Sequence, residues 1–325
     1  MRRAWLLVVL GLASWASFEG RAHAYSRCNH ARLTRESVQL VDRCRACGHL
    51  TGPSPAPFAE VLVRYDKQQD VLLRKLALWH FPARSASAPL QGLARWLLPF
   101  AYSADFEVWT NALWARVKRG LSPSELYPAL GAALHYVQDV AVPAHALPIF
   151  HPTFASTTDD FDDYEGFRGY AGDELSCAQL ESSCAEVSVP RTLGQLLSRV
   201  RAQTRSDLSR PLTMLRSDGA SSHTWGEFWT AGEPGTGFGE YGCRSYGASS
   251  VRCGDQLFQV DQEEYQIFAT VRARAAIRAG ANAIVSFQDH LVSCPKPSCE
   301  PARDDARYLP NRDTLQALAP RTEVD

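Results

Sequence analysis

Apolar residues recur along most of this chain at three- and four-residue spacings, and no long segment alternates strictly between apolar and polar. That period predicts amphipathic helices rather than half-buried strands. The helices fall over residues 31–44, 57–78, 88–100, 104–118, 124–141, 191–212 and 259–291. Residues 213–258 break the pattern. They are rich in Gly, Ser and Trp, from Ser217-Asp218-Gly219-Ala220-Ser221-Ser222 to Gly242, and read as a long loop insertion. The expected fold is therefore all-α, one multi-helix domain over residues 25–292. After Cys294, prolines and charges dominate without periodicity, so residues 293–325 are expected to be a partly disordered tail.

The helix predicted over 124–141 is unlike the others. Ser122-Pro123-Ser124-Glu125 supplies an N-cap, a proline at the first helical position and a glutamate at the third. On a helical wheel Leu126, Leu130, Ala133, Leu134, Val137, Val140 and Ala141 make one broad apolar face. His135 and Asp139 share the opposite side with Gly131 and Ala132. A solvated face would carry Lys, Arg or Glu there. Instead Asp139 is the only formally charged residue between Leu126 and Thr158. A lone carboxylate in apolar surroundings is costly unless it is paired or binds a metal. His145 follows just beyond Pro143, which ends the helix, and offers a third ligand.

Composition places this site in an exported protein. Arg2 and Arg3, the apolar run Trp5–Leu12 and Ala22-His23-Ala24 fit a signal peptide over residues 1–24 with cleavage after Ala24. Such a chain is periplasmic or secreted. Cleavage removes three arginines and one glutamate from totals of 34 basic and 35 acidic residues, leaving a net charge of −3. That balance gives no basic surface for a specific nucleic-acid partner. All nine cysteines lie in the mature part and read as disulfides. Local pairs are Cys177/Cys184, Cys243/Cys253 and Cys294/Cys299. Among Cys28, Cys44 and Cys47 one is left over, and Cys44-x-x-Cys47 reads as disulfide-forming rather than as half of a zinc site.

The string His135-Tyr136-Val137-Gln138-Asp139-Val140-Ala141-Val142-Pro143-Ala144-His145-Ala146 resembles the hallmark of bacterial zinc-dependent phospholipases C. The related fungal zinc nucleases carry a looser version. The resemblance covers residues 25–170 by motif and extends by helix order to 292. It implies an all-α fold around up to three zinc ions. It further implies that His80, in Trp79-His80-Phe81, is a ligand and that Asp66, fourteen residues earlier, is the general base; Asp70 is the second choice. Tyr25 would bind through its new amino group and carbonyl, with His30 completing that ion's shell. The family places a further histidine where Phe161 stands, with Glu165 in the acid position. His145, His151 and a carboxylate from Asp162 or Glu165 are the expected substitutes, with Asp159 and Asp160 close by.

The chemistry implied is hydrolysis of a phosphodiester by water shared between ions, with Asp139 bridging them. The substrate would be a phospholipid or another phosphodiester, with transient contact to a membrane surface. Two alternatives stay open: a zinc-dependent single-strand nuclease, and a non-catalytic exported helical protein with a degenerate site. Trp79, Phe81, Phe100, Tyr102, Phe150 and Phe154 are candidate cleft or core aromatics. His49, His223 and His290 fall outside the pattern.

Overall fold

The computed structural model describes residues 27–70, 115, 123–147, 149, 160–170, 175–216, 219–230 and 239–287. The expected signal peptide over 1–24, residues 88–100, Cys294, Cys299, His290 and the tail lie outside them, as do the six candidate cleft aromatics. Helices among the described residues are α1 (Arg27–Ala46), α2 (Ala59–Lys67), α3 (Pro123–Asp139), α4 (Pro143–Ala146), α5 (Cys177–Ser188), α6 (Leu193–Asp207) and α7 (Gln262–Ser286). Strands are β1 (Pro211–Arg216), β2 (Gly219–Thr224), β3 (Trp229–Thr230), β4 (Glu240–Tyr241), β5 (Cys243–Arg244), β6 (Ser250–Cys253) and β7 (Gln256–Gln259).

The all-α expectation is therefore wrong. The presumed loop insertion folds into an antiparallel five-stranded sheet, ordered β2-β1-β7-β6-β5, with a separate β3-β4 pair. The predicted helix over 191–212 stops at Asp207, and 211–212 open β1. The strands escaped notice because they are short and polar: β2 reads Gly-Ala-Ser-Ser-His-Thr. Burial alternates only where a strand meets the body, at Leu212 and Met214 in β1 and at Val251 and Phe258 across β6 and β7. An aromatic cluster joins the sheet region to the helices. Trp225 stacks on Phe268 of α7 at 4.4 Å, and Phe161 meets Trp229, Tyr246 and Phe268 edge-on.

Two close crossings set the helical body. A Cβ on Gly131 of α3 would lie 2.5 Å from Tyr65 Cβ, 2.9 Å from Leu62 O and 3.0 Å from Asp66 N of α2. Only glycine lets these two backbones approach so far. On α7 a Cβ at Gly280 would lie 2.5 Å from Ser37 Oγ of α1. The apolar face of α3 is buried at Leu130, Ala133, Leu134 and Val137, and Val140 and Ala141 just past its end are buried with it.

Past the C-terminus of α3 lies a buried cation. Arg272 of α7 donates from Nε to Ala141 O (3.2 Å) and from Nη2 to Thr204 Oγ1 (2.9 Å). Thr204 Oγ1 lies 2.8 Å from Val140 O, and Asp207 pairs with the guanidinium. A positive charge here suits the negative end of the helix dipole.

The cysteine pairing also corrects expectation. Cys44 joins Cys184 and Cys47 joins Cys177, so the local Cys177/Cys184 pair does not form. Cys44 lies in the last turn of α1 and Cys47 in the turn just past its end, while Cys177 and Cys184 are two turns apart on one face of α5. The two helices are stapled in antiparallel register. Cys243–Cys253 is as expected, between β5 and β6, and Cys28 is free and exposed. A bond spanning 140 residues removes on the order of 5 kcal/mol of unfolded-chain entropy. The second adds less, because its ends are already held together. Such disulfides suit an extracellular or periplasmic protein. Among the described residues no helix is long and apolar enough to cross a membrane.

Candidate metal centre

The α2–α3 crossing brings Asp66 against His135, one turn beyond Gly131, and α1 supplies His30. All three are buried, and one ligand atom from each lies within 4.8 Å of the others. Asp139 closes the arrangement. Its Oδ1 lies 3.5 Å from His30 Nε2 and its Oδ2 3.3 Å from His135 Nε2. Asp66 Oδ1 lies 3.5 Å from His30 Nδ1 and 3.2 Å from His135 Nδ1. The two imidazoles stack at 4.2 Å, so two potential cations share one dry volume with two carboxylates.

A second layer of hydrogen bonds sets the proton positions. Gln138 Oε1 can only accept, so His30 Nδ1, 2.6 Å away, carries its proton there. That leaves the lone pair on Nε2, the nitrogen facing Asp139. Gln138 Nε2 donates to Thr34 Oγ1 (2.8 Å), and the Thr34 hydroxyl donates to Asp66 Oδ2. Asp66 Oδ1 is thus the oxygen turned to the imidazoles. This is the outer support that orients metal ligands and sets the tautomer of a ligating histidine.

The spacing favours coordination over ion pairing. Charge-assisted hydrogen bonds between such groups settle at about 2.7–2.9 Å. Two ligands on a tetrahedral ion with bonds of about 2.0–2.1 Å stand roughly 3.3 Å apart. The pairs that an ion could bridge stand wider than such hydrogen bonds, His30 Nε2–Asp139 Oδ1 at 3.5 Å and His135 Nε2–Asp139 Oδ2 at 3.3 Å. The donor set of imidazole and carboxylate also suits a divalent transition metal. The cluster His30, Asp66, His135 can hold a metal ion, and Asp139 offers one oxygen to each imidazole.

The other candidates divide. His145 is buried on α4, outside the three groups that meet within 4.8 Å. Asp162 is buried, and Asn29, the neighbour of His30, donates to its backbone oxygen at 2.9 Å. Glu165 is exposed. Asp160 accepts from Ser245 N at 2.8 Å, and desolvation of its carboxyl pushes its pKa up. Phe161 is core, held in the aromatic cluster. Asp70 ends a 3-10 turn at Gln68–Asp70. Tyr25, His80, His151 and Asp159 lie outside the described residues. Sequence reasoning missed Thr34 and Gln138. Both lie one helical turn or less from a named ligand, the only signal that could have found them.

No family model matches the chain, and neither does any curated protein or solved structure. The likeness to zinc-dependent phospholipases C therefore rests on the motif residues alone.

Proposed function

We propose that this chain is an exported zinc-dependent phosphodiester hydrolase of the phospholipase C type. The observation that carries the reading is the buried cluster of His30, Asp66 and His135, with Asp139 facing Nε2 of both imidazoles at 3.3–3.5 Å. His30, His135 and Asp139 offer a donor set that suits zinc, and Asp66 stands beside them as the general base. His80, His145, His151, Asp162 and the Tyr25 terminus would complete up to three ions.

When bound, zinc supplies Lewis acidity, which acidifies water and draws charge from a phosphoryl oxygen. The residues do the rest. Thr34 holds Asp66 Oδ2, leaving Oδ1, beside the imidazoles, to take a proton from the attacking water. Gln138 keeps His30 in the tautomer whose Nε2 is a ligand. The small side chains of Gly131 and Ala132 keep bulk away from that face of α3. Hydrolysis releases an alcohol and a phosphorylated fragment.

Activity of the zinc-loaded protein on phosphatidylcholine, on single-stranded DNA and on a water-soluble phosphodiester tests this. Hydrolysis of the lipid in preference to DNA is expected. Preference for DNA would move the chain to the nuclease branch. No hydrolysis of any of the three, with zinc bound, would leave a non-catalytic metalloprotein.

A further inference from the structure

The sheet carries a second constellation, on elements separate from the metal ligands. Ser221 and His223 stand two residues apart on edge strand β2, so their side chains leave the same face. Ser221 Oγ lies 2.6 Å from His223 Nε2, and His223 Nδ1 lies 2.7 Å from Glu227 Oε2. Glu227 belongs to the 3-10 turn Trp225–Glu227 that follows β2, and its Oε1 accepts from Thr224 N at 3.1 Å. The carboxylate is thereby held at both oxygens. The His223 ring is braced edge-on against Phe258 at 5.1 Å.

Proton positions follow from the acceptors. Ionised Glu227 only accepts, so the proton of neutral His223 sits on Nδ1. Nε2 then presents a lone pair, and the Ser221 hydroxyl must donate to it. Met214 O, 3.3 Å from the same hydroxyl, is the more distant acceptor. A hydroxyl donating to an imidazole that is itself oriented by a carboxylate is the arrangement of a serine nucleophile, general base and orienting acid.

The triad opens on space. Ser221 and His223 line an open pocket of about 360 Å3 together with Arg216, Gln256 and Phe258. That volume fits a small molecule. Arg216 puts a permanent positive charge on the wall, and its guanidinium lies 5.9 Å from the Phe258 ring centre. Gly219 and Ala220 add no bulk at the mouth.

We infer that Ser221, His223 and Glu227 form a second catalytic site, a metal-independent serine hydrolase acting on small carboxylic esters that bear a negative charge. Ser221 Oγ bonds to the ester carbonyl carbon while its proton passes to His223 Nε2. The ester's alkoxy C–O bond breaks, and the leaving alcohol takes that proton. Water then adds to the acyl carbon and gives a proton to His223. The acyl–Oγ bond breaks, Ser221 recovers the proton, and a carboxylic acid leaves. Glu227 positions the imidazole without changing protonation.

The test uses the full mature chain with EDTA present, treated with a fluorophosphonate probe and mapped by peptide mass spectrometry. A single adduct on Ser221 is expected in the wild-type protein, and this arm needs no variant. Labelling should slow at least about 100-fold in H223Q, the ordinary worth of a general base, and stay unchanged in D139N. A p-nitrophenyl ester carrying a free carboxylate should be hydrolysed despite EDTA, and R216Q should lose the preference for it over a neutral ester. An unmodified Ser221 in wild-type protein, or equal labelling in H223Q with native circular dichroism, overturns the proposal. Because D139N removes the metal ligand and spares the triad, failure of either site is distinguishable from failure of the other.

Discussion

Replacing Gly131 with alanine should damage the metal centre without touching a ligand. The added Cβ would lie 2.5 Å from Tyr65 Cβ, against an ordinary contact of at least 3.4 Å, so α2 and α3 must part by about 0.9 Å. The obstacles include backbone atoms of Leu62 and Asp66, which cannot swing aside as a side-chain tip would. Such overpacking costs about 1–3 kcal/mol. Exchanging glycine for alanine inside a helix returns about 1 kcal/mol. The net loss of stability is therefore modest, on the order of 1 kcal/mol. The larger effect falls on the site. Asp66 rides on α2 and faces His135 on α3 at 3.2 Å, so parting the helices stretches that pair. A misplacement near 1 Å can cost about 100-fold in catalysis, and loosened ligand support about 10–100-fold in metal affinity. Competitive chelator titration and phosphodiester turnover, with thermal unfolding as control, measure all three. G131A with wild-type zinc affinity and turnover would refute the argument that this glycine sets the ligand geometry.

Thr34→Val removes the hydroxyl linking Gln138 to Asp66, and zinc affinity should fall about 10–100-fold with the fold intact; an unchanged chelator titration would deny Thr34 its role. His135→Ala and Asp139→Asn should each abolish phosphodiesterase activity and lower bound zinc, and activity persisting in either would sink the site assignment. Arg272→Met strands Asp207 and the Ala141 carbonyl just past α3, so denaturant unfolding should show a loss of about 3–5 kcal/mol; a neutral result would mean the guanidinium is dispensable. One extra residue before Tyr25 should reduce zinc stoichiometry, and full occupancy would exclude the amino terminus as a ligand.

How far the sequence was legible depended on the kind of signal. The motif helix was readable because its apolar face and Asp139, the one acid after its first turn, required opposite environments, and α3 buries both sides. Asp66 was reachable only through its spacing from His80, since nothing local marks a carboxylate beside Lys67 as buried. α5 was missed, although Ser176 and Gln179 form a capping box visible in the sequence. Without α5, the matching faces of Cys44/Cys47 and Cys177/Cys184 could not be recognised, and proximity along the chain was a poor guide to pairing. The sheet was hidden for a different reason. β2 contains no large apolar residue, and β3, β4 and β5 are two residues each, so their pairing is decided by the aromatic cluster and the Cys243–Cys253 bond. Phe161 shows the reverse case. It stands where the resemblance would place a ligand, and the structure accounts for it as packing against Trp229, Tyr246 and Phe268.

Elemental analysis of zinc on the mature chain, cleaved after Ala24 and dialysed free of loose metal, tests the central claim most directly. Asp139 offers separate oxygens to His30 and His135, so more than one ion per chain is expected, and up to three if His145 and Asp162 complete a further site. Acid should release that metal as the ligands protonate. One ion per chain would contradict a multi-zinc phosphodiesterase, and none would leave the buried ring as an ion-paired core.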